Sequence, residues 1–140
     1  MKAKDYLRQL KMLDRLIENK LAEKEQWKAM ATSTTQQLTA DRVQTSGNPQ
    51  KMADAVCKII EIESEIDACI DNLVDTKRDV IKTLERLNPT GYDLLHKVYV
   101  QLLTFEEVAD RKGKSYSWVT TVHGRALKNV QRILDERRKQ

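Results

Sequence analysis

Between Met52 and Leu87 an apolar residue returns at alternating steps of four and three, and no other pattern in the chain narrows the possible folds as much. The positions are Met52, Val56, Ile59, Glu63, Ile66, Ile70, Leu73, Lys77, Val80, Leu84 and Leu87, of which nine of eleven are apolar. That alternation traces one stripe along an α-helix, and its persistence over five heptads marks a coiled-coil seam. At about 1.5 Å per residue, a helix over 51–87 is on the order of 55 Å long. A stripe of that length cannot be buried by its own helix. A second helix folded back on it, a second protomer, or both must cover it.

The first candidate for a cover lies at the N-terminus. Residues 5–30 predict a helix whose apolar stripe runs Tyr6, Leu10, Leu13 and Ile17, continues through Lys20 and Lys24, and recovers at Trp27. It is shorter than the 51–87 helix, so part of the seam is left for a partner chain, which predicts a homodimer through 52–87. Residues 31–50 break the pattern. ATSTTQQ and TSGNPQ are small and polar and end in Gly47, Asn48 and Pro49. They predict a polar linker of roughly twenty residues, long for a connection inside a domain. The N-terminal part, 1–87, is therefore expected to be a helical hairpin acting as an oligomerisation or spacer element. With aromatics at only 5% and four glycines and two prolines in 140 residues, the composition points to an all-α chain.

A change of organisation follows at Asn88-Pro89. Proline lacks the amide a continuing helix needs and disfavours helical geometry in the residue before it. Tyr92–Leu103 then resumes a helical pattern, with Leu95, Val98, Tyr99 and Leu102 on one face. Thr104 and Glu107 have the spacing of a capping box, which opens a short helix over Phe105–Lys112. Gly113 can adopt the left-handed backbone of a sharp turn. Ser115 caps a third helix, in which Val119, Val122, Ala126, Val130 and Ile133 share a face. Val108 and Ala109 supply the surface against which Val119 and Val122 pack.

Two helices joined by a short glycine turn form the helix-turn-helix plan, whose second helix enters the DNA major groove by its N-terminal residues. The C-terminal part, 88–140, is therefore expected to be a DNA-binding domain. Beyond the Ser115 cap, the residues off the core face are Tyr116, Ser117, Thr120 and Thr121. Hydroxyls can read donors or acceptors on base edges, though with little discrimination. Lys114, Arg125 and Lys128 flank them and can reach phosphates, the salt-dependent part of such affinity. Trp118, beside this face, can anchor in the core or lie against the DNA backbone.

Charge and composition exclude several other classes. The net charge is +4 and is unevenly spread: residues 1–50 carry nine Lys/Arg and six Asp/Glu, 51–87 six and nine, and 104–140 nine and five. The basic excess thus returns beside the predicted DNA-reading helix. No run of 18 apolar residues exists to span a membrane, and the charged N-terminus does not resemble a signal peptide. Cys57 and Cys69 lie twelve apart on one helix and cannot bridge, so they read as free thiols of a reducing cytoplasm. His96 and His123 have no companion at ligand spacing, so neither metal nor other cofactor is expected. No nucleophile, base and orienting group share a recognisable spacing, and the chain does not read as an enzyme.

The run LTFEEVADRKGKSYSWVTTVHGRALKNVQRIL resembles region 4 of the sigma-70 family. Thr104, Glu107, Val108, Ala109, Gly113, Ser115, Val119, Ala126 and Leu127 stand at matching places. The whole arrangement is similar to small phage regulators of late transcription of the RinA/ArpU type. That resemblance implies a transcriptional regulator acting on double-stranded DNA at or upstream of promoters, in the cytoplasm of a bacterial host. Host RNA polymerase is a second implied partner. It also implies DNA contacts from Tyr116, Ser117, Thr120, Thr121 and His123. The chain departs from the sigma pattern at Lys112, where a leucine usually closes the first helix, at Trp118, where a polar residue is usual, and at Gly124 inside the recognition helix. Hydroxyls also replace an arginine-rich reading face, so promoter recognition of the sigma type does not follow. The alternatives are a DNA-packaging component resembling a small terminase subunit, and a helix-turn-helix protein that docks on polymerase.

Overall fold

A computed structural model of the chain describes residues 1–40 and 48–140 and, for 33–40 and 48, the backbone alone. These residues form α1 (Ala3–Ala40), α2 (Asn48–Leu84), α3 (Pro89–Leu95), a π-helical turn (His96–Val100), α4 (Phe105–Lys112) and α5 (Tyr116–Arg138), with no strand among them. The all-α expectation holds.

The polar connection predicted for 31–50 is helical at 31–40 and at 48–50. A helix already nucleated extends at little cost, and ATSTTQQ contains neither proline nor glycine to stop it. Pro49 lies in the first turn of α2, where its missing amide leaves no hydrogen bond unmade. The rest of that expectation falls on 41–47, outside the described residues. Asn88-Pro89 likewise begins a helix as well as ending one. The Asn88 side chain accepts a 2.7 Å hydrogen bond from the Gly91 amide, and Pro89 occupies the first turn of α3. The helix predicted over Tyr92–Leu103 is therefore α3 followed by the π-helical turn, and it ends at Val100.

The chain packs as two compact units, residues 1–13 with 73–140, and residues 14–72. The boundary does not fall at 87/88, where the change of sequence pattern placed it. In the first unit Tyr6, Leu7 and Leu10 of α1 and Val80 and Leu84 of α2 share one buried cluster with the C-terminal helices. That cluster includes Leu94, Leu95, Val108, Val119, Ala126 and Val130. The physical reason is size. A helix-turn-helix of some fifty residues buries too little apolar surface to stand alone, and the ends of the two long helices complete its core. Tyr6 anchors this join, with its hydroxyl 2.5 Å from Asp79 Oδ2 and 2.9 Å from Thr83 Oγ1.

In the second unit α1 and α2 run antiparallel. Lys20 pairs with Glu65 at 2.8 Å and Lys24 with Glu63 at 3.1 Å. These pairs explain the two lysines inside the apolar stripe of α1. Their alkyl stems are half-buried while each ammonium reaches a carboxylate on α2.

The seam on α2 is rotated relative to expectation. Ile59, Ile66, Leu73 and Val80 face inward, but the alternate positions are Ala55, Ile62, Cys69, Thr76 and Thr83. Val56, Glu63, Ile70 and Lys77, which the sequence placed on the seam, are exposed. A 3.5-residue period leaves two flanks equally possible beside the shared positions. The flank with the smaller residues faces inward because it lets the helices approach. Val56, Ile60, Ile70 and Val74 consequently remain outward as exposed apolar side chains.

Candidate nucleic-acid interface

Helix α4 has the predicted boundaries and α5 starts after the predicted Ser115 cap, and local chemistry sets each of these. Thr104 accepts the Glu107 amide through its hydroxyl at 3.2 Å. The Glu107 carboxylate in turn accepts from the Thr104 hydroxyl, at 3.2 Å, in place of the reciprocal backbone bond of a full capping box. Gly113 ends α4 at φ 62°, where a Cβ would be strained. The Lys114 amide then bonds to Ala109 O at 3.0 Å, closing the turn. Ser115 caps α5 by accepting the Trp118 amide at 3.0 Å. Val108 and Val119 are fully buried where the two helices meet, and Ala109 is buried beside them.

Lys112 is held at this corner. It and Lys97 both pair with Asp93, Lys97 at 2.9 Å. Hydrogen bonds from Lys112 and then Lys97 hold the Asp93 carboxyl below the usual carboxylate range. The lysine that replaces the usual closing leucine thus ties α4 to α3 by charge.

In the turn, Lys114 and the cap Ser115 are exposed, as are Tyr116, Ser117, Thr120, Thr121, Arg125 and Lys128 on α5, as the sequence reading requires. Ser117, Thr121, Gly124 and Lys128 follow one another at steps of four, three and four, and Thr120 lies three residues after Ser117 and four before Gly124, so all five share a face. The hydroxyls of Thr120 and Thr121 both donate to Ser117 O at 2.9 Å. With their hydrogens so engaged, the two oxygens are left with acceptor lone pairs only. Such a face matches exocyclic amino donors on adenine or cytosine. Trp118 is half-buried against the core, and Lys114 Nζ lies 5.6 Å from the centre of its ring. It therefore sets the position of Lys114 at the edge of the face.

His123 does not belong to this face. Its ring is buried, 2.8 Å from the Tyr99 hydroxyl through Nε2, and lies 4.8 Å from the Phe105 ring. The DNA contact implied for it is corrected accordingly: six residues on from Ser117, position 123 has turned toward the π-helical turn. Burial, and then repulsion by Lys4 and Arg8, push its pKa down, which favours the neutral imidazole.

Gly124 is the residue whose importance the sequence reading understated. It interrupts a helix at a cost of about 1 kcal/mol relative to alanine. A Cβ built on it meets nothing within 4 Å, so no described part of the chain requires its small size. The signal was present in the sequence as an unexplained mid-helix glycine, but only the structure places it on the exposed face.

Electrostatics favour an anion here. From Arg111 to Leu134 no acidic residue occurs, while Arg111, Lys112, Lys114, Arg125, Lys128 and Arg132 do. Among the described residues, Lys114, Arg125 and Lys128 form no salt bridge with a carboxylate. No helix of the described residues is long and apolar enough to cross a membrane. Comparison with protein-family models, with curated proteins and with solved structures found no match to this chain.

Proposed function

We propose that this chain is a DNA-binding transcriptional regulator of phage late genes, with α4 and α5 as its helix-turn-helix. The observation that carries the DNA reading is the exposed face Ser117, Thr120, Thr121, Gly124 and Lys128 on a stretch of α5 without acidic residues before Asp135. In this reading α5 lies in the major groove, the hydroxyls meet base edges, and the bare backbone at Gly124 permits close approach. Lys114, Arg125 and Lys128 contact phosphates, and α4 crosses the backbone. The late-gene assignment rests on the resemblance of the sequence, and host RNA polymerase is proposed as a second partner.

Fluorescence anisotropy with duplexes from upstream of late genes tests this. Neutralising a phosphate contributes about −0.9 to the slope of log K against log salt, so three cations per chain give about −3. Absence of binding at low salt ends the DNA reading.

The outward Val56, Ile60, Ile70 and Val74 support self-association through α2. A dimer by light scattering fits a regulator bound to two half-sites. A ring of eight or more subunits favours the packaging role instead.

A further inference from the structure

A cavity of about 410 Å³ lies in the unit formed by residues 1–13 and 73–140, on a side of the helix-turn-helix that the DNA reading does not use. One wall is cationic. Lys4, Arg8 and Lys11 follow each other at steps of four and three on α1, and all three line it. No carboxylate lines the cavity, and among the described residues none pairs with these three side chains. The opposite wall is apolar, made by Val98, Leu102, Leu103 and Phe105. Tyr99 and His123, hydrogen-bonded to each other, also line it.

The backbone beside this cavity departs from ordinary helix in one continuous feature, a π-helical turn closed by a left-handed residue. His96–Val100 forms a π-helical turn, a rare geometry that occurs mostly as single turns and frequently at functional sites. Leu102 has φ 58°, and it is the one non-glycine residue with positive φ among those described. A leucine held there costs roughly 1 kcal/mol or more, and its side chain is 40% exposed beside the cavity. Strain of this kind persists where the surrounding structure holds it, and it concentrates at binding sites.

We propose that this cavity binds a small organic anion, its carboxylate held by Arg8 with Lys4 and Lys11 and its apolar body packed on Phe105, Leu102 and Leu103. The volume falls in the range of small-molecule sites, which are mostly apolar with a few convergent polar groups. The unpaired cations argue against a neutral apolar ligand. The apolar wall argues against a bare inorganic anion, which would leave it wet and unused. Arginine suits a carboxylate because its planar donors match both oxygens at once. The inference stands whether or not α5 reads DNA.

Titration of the full chain with 2-naphthoate, followed by NMR and calorimetry, tests it. The expected result is saturable one-to-one binding with Kd below about 1 mM. The largest shifts are expected at Leu102, Leu103, Phe105 and His123. Arg8→Ala, a change at an exposed position that leaves the circular dichroism unaltered, is expected to weaken binding at least about fivefold, a difference of about 1 kcal/mol. The uncharged 2-naphthamide is expected to lose about as much. Failure to saturate, shifts centred on the outward face of α2, equal binding of the amide, or equal binding of inorganic phosphate would each overturn the proposal.

Discussion

The Tyr99 hydroxyl and His123 Nε2 lie 2.8 Å apart with both rings buried, so a polar pair locks the π-helical turn to the middle of α5. Charging that imidazole in the folded state is opposed by burial and by Lys4 and Arg8. The unfolded chain titrates His123 near the usual value of about 6.5 and therefore binds more protons below it. Stability from this group is complete above about pH 6.5 and is lost as pH falls toward the lowered folded pKa. Urea midpoints measured at pH 7.5 and pH 5.5 should fall for the natural protein and fall less for His123→Asn. An equal drop in both would show that other groups govern the acid side.

Gly124→Ala should raise stability and lower function together. With nothing within 4 Å of the added Cβ, the helix gains about 1 kcal/mol from propensity alone. If the backbone at Gly124 approaches DNA, affinity should drop at least about fivefold, a cost of about 1 kcal/mol. Urea denaturation and anisotropy on the same preparation measure both. A stabilised variant with undiminished affinity removes Gly124 from the interface.

Thr120→Ala combined with Thr121→Ala separates reading from folding. Both hydroxyls bond only to Ser117 O on their own helix, so stability should change by no more than about 0.5 kcal/mol. The ratio of specific to non-specific affinity should fall about tenfold, within the 1–3 kcal/mol of a base-edge contact. An unaltered sequence preference means that another face reads the DNA.

Tyr6→Phe should be costly while a nearby surface charge change is not. The Tyr6 hydroxyl is shared between Asp79 and the buried Thr83, and its loss removes a hydrogen bond to a charged group at a cost of about 1.5–3 kcal/mol. Lys20→Ala removes a solvent-screened pair with Glu65 and should barely move the urea midpoint. Comparable losses in the two variants would contradict the assignment of Tyr6 as the anchor of the N-terminal turns.

Ile60→Glu with Ile70→Glu tests self-association. Both side chains are exposed, so helicity should be retained while sedimentation shifts from dimer to monomer. If the natural protein is already monomeric at about 100 μM, affinities weaker than about 5 kcal/mol are all that remain for α2 pairing.

The α4–Gly113–α5 segment was legible residue by residue because its signals are local. A cap, a left-handed glycine and a second cap act over three or four residues, and Thr104, Gly113 and Ser115 hold the backbone as their chemistry requires. The stripe of α1 was legible for the same reason, including Lys20 and Lys24, whose partners lie on α2. The polar 31–40 segment was misread because composition reports propensity, while an established helix extends through indifferent residues.

The sequence by itself determined that the chain is helical, where α4 starts and stops, where α5 starts, and that Ser117, Thr120 and Thr121 lie off the apolar stripe of α5. Periodicity and capping are properties of neighbouring residues, so no tertiary information is needed to read them. Three matters were decided only by the tertiary structure. Ala55, Cys69 and Thr76, and not Val56, Ile70 and Lys77, turn inward on α2. The ends of α1 and α2 complete the C-terminal core. His123 turns away from the reading face to meet Tyr99. Each is a choice between faces of a helix whose intrinsic preferences are close, and packing against residues far along the chain settles it.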